Sequence, residues 1–125
     1  MEIRKKVING NVWQLVNESW SNSYAWGHRT NVIRNGYDYG EHKVRYYNRT
    51  WEMYTFQTCM SSAINTIYEN EQKWFIDNWK RRNNIDKFKK GQKQEVIKLF
   101  EQEEIAQELK ILKEAIKNRD FDSLR

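Results

Sequence analysis

Residues 46–67 read YYNRTWEMYTFQTCMSSAINTI, and the period of the apolar residues changes inside this stretch. From Thr50 onward, Met53, Phe56, Met60, Ala63, Ile64 and Ile67 recur at spacings of three and four, which lines them along one face of a helix. Thr50 is suited to cap its start, and Glu52 complements the positive end of the helix dipole in the first turn. The pattern predicts a helix through NEQKWFIDNWK (70–80) to residue 82, with a kink near Asn70 and a stop at Asn83-Asn84.

Before that switch the chain reads as strands. Asn9-Gly10 separates Ile3 and Val7 from Val12, Trp13, Leu15 and Val16, a hairpin signal because both turn residues tolerate positive φ. A short helix over 12–19 is the competing assignment. SWSNSYAWG (19–27) reads as a loop, and residues 28–35 and 41–48 as a second strand pair around NGYDYG (35–40). After the first helix, Ile105, Leu109, Leu112 and Ile116 follow a 4-3-4 spacing, which predicts one further long helix over 92–118.

The expected fold class is therefore α+β. A small antiparallel sheet (1–49) is followed by two long helices (50–82 and 92–118) in a single domain, 1–125. A helix of that length spans about 45 Å at 1.5 Å per residue, more than a compact chain of this size is wide. A second copy covering its far end, in an interlocked homodimer or a higher homo-oligomer, is the expected solution.

Six Trp, seven Tyr and five Phe exclude a disordered chain, which lacks the rings that make burial favourable. No apolar run of about 18 residues and no leader-like segment occur, so a soluble protein of the cytoplasm, with no membrane partner, is expected. The one cysteine, Cys59, has no partner for an intrachain disulfide and falls on the apolar stripe of the helix. His28 and His42 belong to no nucleophile or metal motif, and glycine-rich phosphate loops are missing. A binding protein without cofactor or metal is expected rather than an enzyme.

Net charge is +5, and it is concentrated. WKRRNNIDKFKKGQK (79–93) holds seven Lys or Arg against one Asp, a local +6. Rings and cations interleave there: Trp74 and Phe88 offer faces to a planar base, Arg81 and Arg82 reach phosphate oxygens, and Asn83 and Asn84 reach ribose hydroxyls. Trp26, His28 and Arg29 repeat the combination in the first half. Arg49 and Trp51 sit at the strand-to-helix junction, where free backbone N–H groups favour an anion that a guanidinium can grip bidentately. The plain alternatives are an Arg49–Glu52 pair and a solvated basic loop. A compact nucleotide needs only a pocket, whereas a nucleic-acid polymer needs a continuous positive stripe.

The strings SNSYAWGHR (21–29) and NGYDYGEHKVRYYNRTWEMYTFQT (35–58), followed by the helical tail, resemble small phage and prophage proteins of the first-described Thoeris anti-defence family. That resemblance implies a non-enzymatic sponge. It would bind a cyclic ADP-ribose isomer made by the host's immune TIR enzymes and so block activation of the Thoeris effector, from an interlocked dimer or larger assembly. An anti-CRISPR or other nucleic-acid-binding inhibitor of phage origin is the competing reading.

Overall fold

The computed structural model describes residues 1–46 and 52–122. Four strands, β1 (Glu2–Ile8), β2 (Asn11–Ser21), β3 (Trp26–Arg34) and β4 (Tyr37–Tyr46), form one antiparallel meander in the order β1-β2-β3-β4. Three helices follow: α1 (Glu52–Arg82), α2 (Gln92–Glu101) and α3 (Glu104–Asn118). The α+β class and the N-terminal antiparallel sheet are as the sequence predicts.

Both two-residue turns are Asn-Gly with positive φ at each position: Asn9 at 52° and Gly10 at 79°, Asn35 at 49° and Gly36 at 85°. That backbone twist matches the flanking strands. The turns lie side by side, because the Asn35 side chain accepts from the Val12 N–H at 2.8 Å and donates to Asn11 Oδ1 at 2.9 Å. The competing helix over 12–19 is overturned by the strand β2, whose Trp13, Leu15 and Asn17 alternate inward. Two further boundaries move. The loop after β2 shrinks to residues 22–25, closed by Asn22 Oδ1 accepting from the Tyr24 and Ala25 N–H groups, and β4 starts at Tyr37, directly after its turn.

Helix α1 lies across the inner face of the sheet over β3, β4 and β2, and α3 packs beside it toward β1. The core joins Trp13, Leu15 and Val32 from the sheet to Met60, Ala63, Ile64 and Ile67 from α1 and to Leu109, Leu112 and Ile116 from α3. α1 is one continuous helix of 31 residues that runs through Asn70. Its end follows the sequence signal: Asn84 is left-handed (φ 53°), its N–H bonds to the Arg81 carbonyl, and the Ile85 N–H bonds to the Lys80 carbonyl. These two bonds make a Schellman stop.

The predicted single helix over 92–118 is corrected to two. Glu103 is extended (φ −68°, ψ 145°) and starts α3 after α2 has closed on Gln102. The reason is a slip in phase, since Val96 and Phe100 are buried four apart while the next apolar position, Ile105, comes five later. Breaking the helix brings both stripes onto α1. α2 thereby folds back on the second half of α1, with Phe100 against Tyr68 and Phe75 at ring-centroid distances of 5.2 and 5.6 Å. Part of the surface assigned to a second copy is thus covered within the chain.

Candidate functional site

The inward residues of β1, Glu2 and Arg4, face a gap that Phe56, Gln57 and Met60 of α1 also line. The far wall of that gap is the segment that follows α3. Its Asp122 bridges to Lys5, with the Asp122 N–H donating to the Lys5 carbonyl at 2.7 Å, and Lys6 donates to Asp120 at 3.2 Å. Between the two lies a cavity of about 340 Å³ lined by Glu2, Arg4, Phe56, Gln57, Met60, Arg119 and Phe121. A neighbouring cavity of about 370 Å³ shares Glu2 and Phe56 with it and reaches Met1, Glu18 and Ser19. Volumes of this size suit small-molecule sites.

Two guanidinium groups face this cleft in different states. Arg4 donates to Glu2 at 2.7 Å and lies 5.7 Å from the Phe121 ring centroid, so its charge is balanced and its plane is held. Arg119 has no ion-pair partner among the described residues. It also carries a strained backbone. Its φ of 55° is the left-handed position that ends α3, with its own N–H bonded to Ile116 and the Asp120 N–H to Ala115. Helices usually place Gly there, because a Cβ in that region costs about 1–2 kcal/mol. Gln57 of α1 donates its amide to the Ile116 carbonyl in the same helix end, tying the two helices at the cleft.

Behind Phe56 the layer between sheet and helix is polar. His28 is 1% exposed and meets Phe56 edge-on at 4.2 Å, with Trp26 beyond it at 5.9 Å. The Thr30 hydroxyl donates to Asn17 Oδ1 at 2.6 Å and lies 3.2 Å from Cys59 Sγ. Burial pushes the Cys59 thiol up, which suppresses the thiolate and its reactivity.

The expected site residues divide into two groups. Trp26 and His28 lie near the cleft, but His28 is enclosed in the core and Trp26 opens β3 rather than standing in a loop. His28 shares the inward face of β3 with Thr30 and Val32, and its ring packs edge-on against Phe56. Arg49 and Trp51 lie outside the described residues. Trp74, Arg81, Arg82, Asn83, Asn84 and Phe88 are grouped at the opposite end of α1. From Phe56 to Trp79 the helix rises about 35 Å. Within one chain the two groups do not enclose one small molecule, because a rigid helix separates them.

At that far end several side chains already have structural work. Phe88 packs on Trp79 at 5.9 Å beneath the Lys80 ammonium at 4.8 Å, and Asn83 Nδ2 donates to the Trp79 carbonyl at 2.7 Å. Trp74 is 65% exposed. The cleft residues Arg4, Gln57, Arg119 and Phe121 escape sequence reasoning, since none sits in a motif and topology alone assembles them.

Fold and cleft define a small α+β protein with a meander sheet covered on one face by helices and a mixed aromatic and cationic cleft at one end. No family model, curated protein or solved structure matches the chain. Among the described residues, no helix is long and apolar enough to cross a membrane.

Proposed function

We propose that the chain binds a compact phosphorylated ligand of the cyclic ADP-ribose class in the cleft at the N-terminal end of α1. In this reading it holds the ligand without turnover and withholds it from a Thoeris effector in the host cytoplasm. The observation that carries the proposal is Arg119, a cation without an acidic partner among the described residues, in a left-handed backbone position, on the wall of a cavity that also presents Phe56 and Phe121. A guanidinium that can make two parallel bonds to phosphate oxygens, beside rings on which a base can stack, is the chemistry a nucleotide requires. Arg4 supplies a second donor plane, already oriented by Glu2.

Arg49 and Trp51 precede Glu52 by three and one positions and stay in the proposed binding set. Arg81 and Arg82 leave it, because they stand at the far end of the helix. Self-association, implied by the resemblance, belongs to the same proposal: Leu99 and Ile111 leave apolar surface on the helical layer, and light scattering at micromolar concentration reads the mass.

The test is retention followed by recovery. The protein is incubated with cyclic ADP-ribose isomers, washed, denatured by heat, and the released small molecules are weighed by mass spectrometry. An intact cyclic nucleotide recovered in stoichiometric amount, and lost in Arg119→Gly, supports sequestration. Linear ADP-ribose in its place indicates a hydrolase, and no retained nucleotide removes the proposal.

A further inference from the structure

Charge pairing is distributed unevenly over the molecule. Among the described residues, every ion pair uses a cation of the sheet: Arg4, Lys6, Arg29, Arg34 or Lys43. Residues 73–93 hold Lys73, Lys80, Arg81, Arg82, Lys87, Lys89, Lys90 and Lys93 against only Asp77 and Asp86, eight cations and two anions, and none of the eight has an acidic partner within 4.0 Å among the described residues. Like charges left unpaired at this density repel one another and weaken the compact state. The fold nevertheless holds them together, because the Trp79–Phe88 contact and the Schellman stop at Asn84 pin the basic loop back onto the helix.

Two features give this end a shape suited to more than counterions. Lys73, Lys80 and Lys93 outnumber Glu69 and Asp77 in the lining of a groove of about 290 Å³ with Phe88 in its wall. Trp74 exposes most of its indole one turn before Asn78 and two turns before Arg81, so by helical spacing ring and guanidinium share one stripe. A flat ring beside a run of free cations is how proteins hold a single strand, stacking bases on the ring and neutralising phosphates around it.

We infer that the C-terminal end of α1 and the loop after it form a separate interface for single-stranded nucleic acid, about 35 Å along the helix from the cleft. The exposed indole favours this partner over an acidic protein surface, which would be satisfied by the lysines alone. It also favours a single strand over a duplex, whose bases are already stacked.

The experiment is fluorescence anisotropy with a labelled oligouridine, its duplex form and polyglutamate, in about 50 to 200 mM salt. The single strand is expected to bind in preference to the other two, with affinity falling steeply as salt rises. Trp74→Ala should weaken it about 5- to 100-fold while leaving the salt slope unchanged, since stacking releases no counterions. Arg81→Gln with Arg82→Gln should flatten the slope by roughly 0.7 for each phosphate that is no longer neutralised. These side chains are exposed, and circular dichroism confirms the fold of each variant. Arg119→Gly should bind the oligonucleotide as the parent does, which keeps this interface distinct from the cleft. Equal binding of polyglutamate, tighter binding of the duplex, insensitivity to Trp74→Ala, or no binding at the lowest salt overturns the inference.

Discussion

The indole N–H of Trp13 donates to Oε1 of Glu108 at 2.8 Å, which ties the first hairpin to the last helix through a carboxylate with no exposed surface. Arg34 completes the pair, with Nε 3.2 Å from Oε1 and Nη2 3.1 Å from Oε2, and Asn11 donates to Oε2 at 3.0 Å. A buried carboxylate is tolerable only when its lone pairs are filled, and four donors from β2 and β3 fill them here. Glu108→Gln removes the charge and turns an N–H₂ toward the guanidinium. Arg34 stays partly solvated at 24% exposure and keeps Glu104 at 3.9 Å, which limits the loss. A destabilisation of about 2–4 kcal/mol is expected in urea unfolding, with an unchanged m-value.

The same carboxylate sets an acid limit. Burial pushes the Glu108 carboxyl up, but hydrogen bonds from Arg34 and Trp13, with the Arg34 charge, outweigh it and hold it below its ordinary value. A group depressed in the folded state contributes stability above its unfolded value, about 4.3, and that stability is lost as pH falls through the lower folded value. Unfolding free energy should therefore decline below about pH 4 and decline less in Glu108→Gln. Glu71 works in the opposite sense, since burial raises its carboxyl despite Arg34. Comparison of the two proteins across the same pH range cancels the Glu71 contribution, and parallel curves would exclude Glu108 as the acid trigger.

Much of the fold was legible because its signals are local. Two Asn-Gly turns, the change from alternation to a three-four spacing after Thr50, and the Asn83-Asn84 stop each act over a few residues. The break at Gln102–Glu103 was legible too, as the five-residue step from Phe100 to Ile105, but the regular seam from Ile105 to Ile116 masked it. Glu108 stands three residues after Ile105 and four before Leu112, a charge inside an apolar seam that announces a buried partner. Its partner Arg34 is 74 residues away and only topology supplies it. For the site, strand parity places His28 with Thr30 and Val32 and so inside. Arg119 enters the cleft only through the left-handed end of α3, which no periodicity encodes.

Gly27 marks the tightest approach in the sheet. A Cβ there would lie 1.9 Å from the Val44 carbonyl oxygen and 2.9 Å from the Trp20 ring. Trp20 lies across this glycine, donates its indole N–H to the His28 carbonyl at 3.3 Å, and carries the Lys43 ammonium 5.7 Å from its ring. Gly27→Ala must move backbone as well as ring, so a loss of about 1–3 kcal/mol is expected. The near-ultraviolet circular dichroism of Trp20 should change with it. A variant as stable as the parent with an unchanged Trp signal would show that β3 and β4 yield more easily than their packing implies.

Arg119 allows stability and binding to be separated in a single substitution. Its side chain faces the cleft while its backbone occupies a conformation in which glycine is unstrained. Arg119→Gly removes the steric cost of the left-handed residue, about 1 kcal/mol, against a modest entropic loss from the freer unfolded chain. The thermal midpoint should stay level or rise by a few degrees. Nucleotide retention should fall by about tenfold or more, the usual effect of deleting a charged hydrogen-bond donor to phosphate. A residue kept only to end the helix would lose neither stability nor binding when replaced by the residue helices prefer. Opposite movement of the two measurements, stability up and retention down, is what a strained functional position produces. Arg119→Lys refines the test, since it keeps charge and backbone strain but not the bidentate plane: partial retention assigns the contact to charge, and full loss assigns it to the guanidinium geometry.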